Sequence, residues 1–409
     1  MRRLFLLLFL AQLPLLSNSQ TWTKKSIFRD TARYNHTVFT LNNRIYVCGG
    51  RDSLGNNFNS LYEFNPTTNV WSSKKEFPGP PRRGLISFSN DTFAFVGLGF
   101  DGVTTFQDLY RYDYLLDKWD TMTNYPGQGG RNTMATSLSN YAYVGGGNFN
   151  SSGPKNDFWQ YDMVNDSWIK KANLGMGACA SGIAFTIDSL IYMGLGNNGS
   201  NNLRLLYGYD PNTNVWTQKA NFSGQGRMKS TCFVINDAAV IGGGFRFGFG
   251  RSSTLNDYYE YNPMSNTWTS INVQNFQGNR RADAEAVGLN NKAYIVMGVD
   301  SVGSTFNDIW EYANTTVSIN ELSQVKSIRQ LSIFPMPSKG VLNLILEESK
   351  NSTFQFQLFN LNGKLVQQSR LIMGEKVNTV TLKSLPNGLY IYNLSNKKTS
   401  YKGKIQLMK

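Results

Sequence analysis

Five arginines stand at matching points of this 409-residue chain: Arg33, Arg82, Arg131, Arg227 and Arg281. Each precedes a glycine of a recurring element (Gly50, Gly99, Gly147, Gly244, Gly298) by 17 residues, or by 16 for Arg131. Cys179 occupies that place before a sixth glycine, Gly196. A guanidinium is a planar fork of donors that suits carboxylates and polar sugars. Five of them around one mouth would make a binding site for such groups; the plainer role is to bond carbonyls of a neighbouring repeat. Asp283 and Glu285 alternate on a predicted strand, so their side chains share a face. They could act as an acid–base pair, or one of them could pair with a nearby Arg. His36 is expected to be a buried hydrogen bonder. Phe100, Phe149, Phe245, Arg246 and Phe247 fall in long loops, where exposed rings can stack on sugars or anchor a protein. The stretch "FRFGFGR" is the most unusual of these loops.

Much chemistry is excluded. One His and three Cys (Cys48, Cys179, Cys232) are too few for an ordinary zinc or copper site or a disulfide framework. No nucleotide loop or nucleophile motif occurs, and no cofactor is implied. The formal charge of +13 is concentrated in the tail, where residues 325–409 hold 13 Lys/Arg against 3 Asp/Glu. Residues 20–324 hold 25 against 24, so the body lacks the basic surface that nucleic acid requires.

The elements that position these residues repeat. Trp recurs at 22, 71, 119, 168, 216 and 268, in step with glycines at 50, 99, 147, 196, 244 and 298. Each unit reads as four short strands, as in "HTVFTL", "RIYVCGG", "NSLYEFNP" and "NVWSSKK", joined by tight turns and one long loop. Gly is abundant (38) and aromatics make up 13%, which fits an all-β chain rich in turns. The last unit stops at its third strand, "NDIWEY", and the missing Trp-bearing strand lies at the other end, in "TWTKKS". The N-terminal segment is therefore expected to close the sixth blade and remove an open sheet edge. The short turns then lie on one face, and the long loops, with the Arg positions, on the other, where function concentrates.

By its period near ~50, its glycine elements and its aromatics, the stretch 20–312 resembles the kelch-repeat family, which implies a six-bladed β-propeller. Residues 1–19 read as a signal peptide: Arg2 and Arg3, the apolar Leu4–Leu16, then Ser17-Asn18-Ser19 before a cleavage point at Gln20. No later segment could cross a bilayer as a helix. Residues 313–330 read as a linker, and 331–409 as a small immunoglobulin-like β-sandwich. This tail carries Pro335-Met336-Pro337, Gly340, Asn362-Gly363-Lys364, Asn387-Gly388-Leu389-Tyr390 and terminal lysines. It is similar to the C-terminal sorting domain of type IX secretion cargo of Bacteroidetes. That resemblance implies contact with the secretion machinery and a secreted or surface location.

The expected function is a binding module that presents its long-loop face to a glycan or protein. One alternative comes from resemblance: some six-bladed kelch proteins are mutarotases on sialic acid, and Glu285 or Asp283 with the arginines could supply the groups. Copper-radical sugar oxidases of kelch type need two His ligands and are excluded. Another alternative is a structural subunit of a surface assembly.

Overall fold

The computed structural model describes residues 17–408 except 151, 249–250, 272–277, 279, 318–330, 335–337, 347–351, 361–363, 374–377, 383–384 and 397–399. Residues 1–16 of the expected signal peptide 1–19, and the Pro335-Met336-Pro337 and Asn362-Gly363 motifs, thus lie outside the described residues. The chain divides into two compact units, one ending at Ser318 and the other beginning at Ile319. Among the described residues all regular structure is strand, and no helix is long and apolar enough to cross a membrane.

The first unit is built of four-stranded antiparallel sheets. In the first, Thr37–Leu41, Arg44–Cys48, Leu61–Asn65 and Val70–Lys74 pair in chain order. Sheets over 86–122, 134–170, 183–218 and 231–271 repeat the pattern. In the sixth, Glu285–Leu289, Lys292–Val296 and Asp308–Val317 are completed by Ser17–Ile27. Trp22 lies opposite Tyr312 and Lys24 opposite Trp310, as the missing-strand argument requires. Asp308–Val317 runs five residues past the expected domain end at 312, because Ser17 to Thr21 pair with Val317 to Ala313. The expected linker therefore begins later than its composition suggests. Cleavage before Gln20 would remove the three outermost of these pairs and leave Trp22 in place.

Neighbouring sheets are joined by cores of alternating apolar residues. Phe39, Tyr46 and Cys48 of the first sheet pack with Val96 and Tyr112 of the second. Trp22, Ile295 and Tyr312 of the sixth pack with Phe233 and Tyr258 of the fifth. Val296 and Ile309 of the sixth pack with Val38 and Val47 of the first, so the series of contacts returns to its start.

Polar latches supplement these cores. The Tyr112 hydroxyl donates to Asp117 Oδ1 at 2.7 Å, the Lys75 amide of the preceding sheet donates to the same oxygen at 2.9 Å, and Trp119 Nε1 donates back to Lys75 O. The set Tyr161, Asp166, Thr123 and Trp168 repeats this, as does Tyr209, Asn214, Ala172 and Trp216, and again Tyr261, Asn266, Ala220 and Trp268. This explains the recurring Trp at 119, 168, 216 and 268: its apolar body fills the space between sheets while its N–H satisfies a neighbour's carbonyl.

At the centre, the residue just before each innermost strand donates its N–H to the equivalent carbonyl of the preceding sheet. Asn35 donates to Asp283, Gly84 to Asn35, Asn132 to Gly84, Ser181 to Asn132, Lys229 to Ser181 and Asp283 to Lys229, at 2.8–3.2 Å. The cycle is complete, and all six residues have φ between 50° and 65°. The recurring glycines serve the same crowding. Gly50 has φ 98°, and a Cβ there would lie 2.8 Å from that of His36.

In the second unit a three-stranded sheet (Leu331–Phe334, Val341–Leu346, Asn378–Thr381) and a four-stranded sheet (Leu365–Met373, Ser352–Phe359, Gly388–Ser395, Ser400–Leu407) share one core. Leu342, Leu344, Phe354, Phe356, Leu394 and Ile405 fill it.

Deleting residues 21–27 should strip the sixth sheet of its outer strand. Loss of a buried Trp alone costs about 3–5 kcal/mol, or about 5–8 °C in Tm for a domain of this size. Scanning calorimetry should show at least that drop; an unchanged Tm would sink the closure.

Candidate functional site

The five arginines do not form one crown. Arg33, Arg82, Arg227 and Arg281 are at most 1% exposed. Each Nη1 donates to the carbonyl 16 residues on: Gly49, Leu98, Gly243 and Met297 respectively. Three also grip an aspartate with both nitrogens: Arg82 with Asp108, Arg227 with Asp257 and Arg281 with Asp308, at 2.5–3.2 Å. Arg33 takes Asp30 at 2.6 Å and Ser60 instead. Phenylalanine rings cover them, Phe58 at 4.1 Å from Arg33 and Phe306 at 4.3 Å from Arg281. Buried and bonded in this way, these four brace the strand ends and present no exposed donor to a ligand. Cys179 fills the same place in the fourth sheet, its thiol donating to Leu195 O at 3.1 Å and pushed up to about 12 by burial.

Arg131 is the exception, and its one-residue offset is the reason. Gly130 takes the bracing position, while Arg131 stands one step on, beside Asn132 of the central ring. Its counterpart in the second sheet is Arg83, beside Gly84. Both guanidiniums lie over Phe100, at 4.5 Å for Arg131 and 5.2 Å for Arg83. Arg51, bridged to Tyr34 in the first sheet, is the third member. Burial first, then the charges of Arg51 and Arg131, lower the pKa of Arg83. All three are partly exposed, and none has an ion pair among the described residues. The Nε atoms of Arg51 and Arg131 are buried donors without an acceptor. Like charges so gathered repel, and a carboxylate placed among them would supply the opposite charge.

Below this arc opens a channel cavity of about 190 Å³, lined in part by Asn35, His36, Asn132, Ser181, Lys229, Asp283 and Glu285. Lys229 Nζ lies 2.7 Å from Asp283 Oδ2, so the partner of Asp283 is a lysine rather than the expected arginine. With its amide turned to suit its neighbours, Asn35 donates to Asp283 and accepts from Lys229. Burial raises the pKa of Asp283, with Lys229 opposing. Glu285 is exposed to the water of the channel it lines. The density of protein around that channel, then the charge of Asp283, pushes its carboxyl up to about 8. His36 is buried and held neutral, pushed down to about 3 by burial and by Arg33.

Of the aromatic candidates whose side chains are described, Phe100 alone lies under guanidiniums of the arginine arc. Phe149 lies near Gly130. Phe245 bridges Met228 and opens a hairpin, Phe245–Gly248 with Arg251–Thr254, in which Arg246 is exposed. The side chain of Phe247 lies outside the described residues. Sequence reasoning missed Arg51, Arg83, Lys229 and Asn35. The signals available were the Arg82-Arg83 doublet and the interval of 16 at Arg131.

Comparison with known proteins fixes the family. The KLHDC2/KLHL20/DRC7 Kelch-repeats domain matches over residues 15–182 and 132–330. The chain is a kelch-repeat protein. The secretion system C-terminal sorting domain matches over 332–408. The tail thus marks this kelch protein for type IX export to the cell surface or extracellular space. N-acetylneuraminate epimerase of Pasteurella multocida (strain Pm70) is 29% identical over 131 residues, 32% of either chain. That of Escherichia coli (strain K12) is 27% identical over 146 residues, 35% of this chain and 39% of the relative. Alpha-scruin of Limulus polyphemus is 29% identical over 87 residues, 21% of this chain and 9% of the relative. The chain thus spans about a third of the epimerases' length. A solved structure titled "Structure of YjhT" superposes with a TM-score of 0.60 at 17% identity, covering 69% of this chain and 95% of that one. That likeness supports a β-propeller fold.

Two outcomes follow. Arg82→Ala strips Asp108 of its partner and should cost about 3–5 kcal/mol, whereas Arg131→Ala should stay within about 1 kcal/mol; urea unfolding measures both. Folded Glu285 keeps its proton up to about pH 8, while the unfolded residue releases it near 4.5. Its contribution to stability therefore falls as pH rises between those values. Glu285→Gln should be the more stable protein at pH 9 and gain nothing at pH 4 by thermal melts.

Proposed function

We propose that this exported kelch protein is a binding module whose long-loop face receives a carboxylate-bearing ligand, glycan or protein. The observation that carries the reading is the arc of Arg51, Arg83 and Arg131, in which Arg83 feels the charge of both others and none of the three has an ion-pair partner among the described residues. A fold that holds like charges together bears a cost that an anionic ligand relieves. The six sheets are, on this reading, the blades of one six-bladed propeller closed by the N-terminal strand. The tail is an immunoglobulin-like sandwich that the secretion machinery reads. Residues 1–19 are the signal peptide, removed on export.

The test is a screen of acidic and neutral glycans and peptides on the purified protein. Arg83→Ala/Arg131→Ala should lose at least ten-fold in affinity for any acidic hit with Tm held within a few degrees. Affinity unchanged in that variant would overturn the reading. For the tail, a signal-peptide reporter fused to 328–409 should leave the periplasm of a Bacteroidetes host.

A second reading is favoured by one observation. Glu285 holds its proton near neutrality beside the Lys229–Asp283 pair, and relatives over a third of their length are named N-acetylneuraminate epimerases. A carboxyl with a pKa near the working pH can give and take a proton, as sugar mutarotation requires. NMR of freshly dissolved anomers would show it, with Glu285→Gln abolishing the acceleration.

A further inference from the structure

The loops that carry the arginine arc carry a second, repeated feature. Leu54, Val103 and Val302 are 86%, 87% and 84% exposed. They hold the same place in the long loops of the first, second and sixth sheets, which are neighbours around the ring. Each follows an aspartate by two residues, and that aspartate fixes the tip. Asp52 Oδ1 accepts the Asn56 amide at 2.8 Å. Asp101 Oδ1 accepts Val103 and Thr104 at 2.7 and 2.6 Å. Asp300 Oδ1 accepts Val302 and Ser304 at 3.0 and 2.8 Å. The fourth sheet shares the turn, with Asn198 for the aspartate, but carries Ser200 at the tip.

An aliphatic side chain held almost wholly in water on a preformed turn gains nothing within the fold. Three on adjacent loops gain by meeting apolar atoms of a partner. They stand beside the cations: Arg51 and Leu54 share one loop, Phe100 and Val103 the next. Asn57 of the first of these loops donates to Asp101 O of the second and ties the two together. A ligand that extends from the arginines along these loops can therefore reach the tips.

We propose that the ligand is a polypeptide segment in which carboxylates stand next to apolar side chains, the acids on Arg51, Arg83 and Arg131 and the apolar groups on Leu54, Val103 and Val302. This rests on the carboxylate-binding reading and narrows it. A free acidic sugar satisfies the arginines and leaves the tips wet, whereas a chain of alternating acidic and aliphatic residues satisfies both.

The experiment measures fluorescence anisotropy on the full exported chain with two labelled peptides of equal charge, one alternating Glu with Leu and one alternating Glu with Ser, and runs an acidic-glycan array in parallel. The Glu/Leu peptide should bind at least ten-fold more tightly than the Glu/Ser peptide. Leu54→Ser/Val103→Ser/Val302→Ser should erase that preference while keeping the weaker Glu/Ser binding and the Tm. Equal affinity for the two peptides, or a preference that survives the triple variant, would overturn the inference. Capture of acidic glycans with neither peptide bound would also overturn it and leave the broader reading standing. Binding of no anion at all would overturn both.

Discussion

An open sheet edge is what the architecture of the first unit has to resolve. Without Ser17–Ile27, the strand Asp308–Val317 would present a row of unpaired backbone groups, and the sixth sheet would lack Trp22, which packs against Tyr258 and Tyr312. Pairing removes the edge. It also brings the sixth sheet against the first, and that lets the six central residues pass hydrogen bonds round in a cycle. The positive φ at each member turns the chain towards the axis. The channel, its lysine–aspartate pair and the arginine arc above it all depend on that cycle for their spacing.

The repeat was legible because it is written in residue types that only one environment suits. A Trp or Gly every ~50 residues signals inter-sheet packing and crowded backbone, and both recur where expected. The missing last strand was legible from the same count. The arginines were harder, since residue type alone does not separate a brace from a ligand group. Arg82 and Arg83 are adjacent in sequence, yet one is buried against Asp108 and the other faces Arg131 and Arg51. The extended backbone there, bridged to Phe58 at Arg82 and to Phe100 at Arg83, carries them to opposite fates because successive side chains point to opposite sides. The interval of 16 at Arg131 distinguished the two classes, but treating it as scatter merged them.

The channel pair was illegible for a different reason. Lys229 and Asp283 are 54 residues apart and come from neighbouring sheets. Only the three-dimensional register of the central ring brings them to 2.7 Å. The exposed tips were likewise invisible, because an aliphatic residue in a loop says nothing of its exposure until Asp101 or Asp300 is seen capping the turn beneath it.

The closing strand carries a consequence in time. Thr21 and its partner Ala313 are separated by 292 positions, so the closing strand waits for nearly the whole propeller before it can dock. Contacts so distant in sequence pay a large loop-closure cost and form late. Until the strand Asp308–Val317 exists the ring stays incomplete by construction. Closure is thereby coupled to the last repeat, which lies just ahead of the sorting tail.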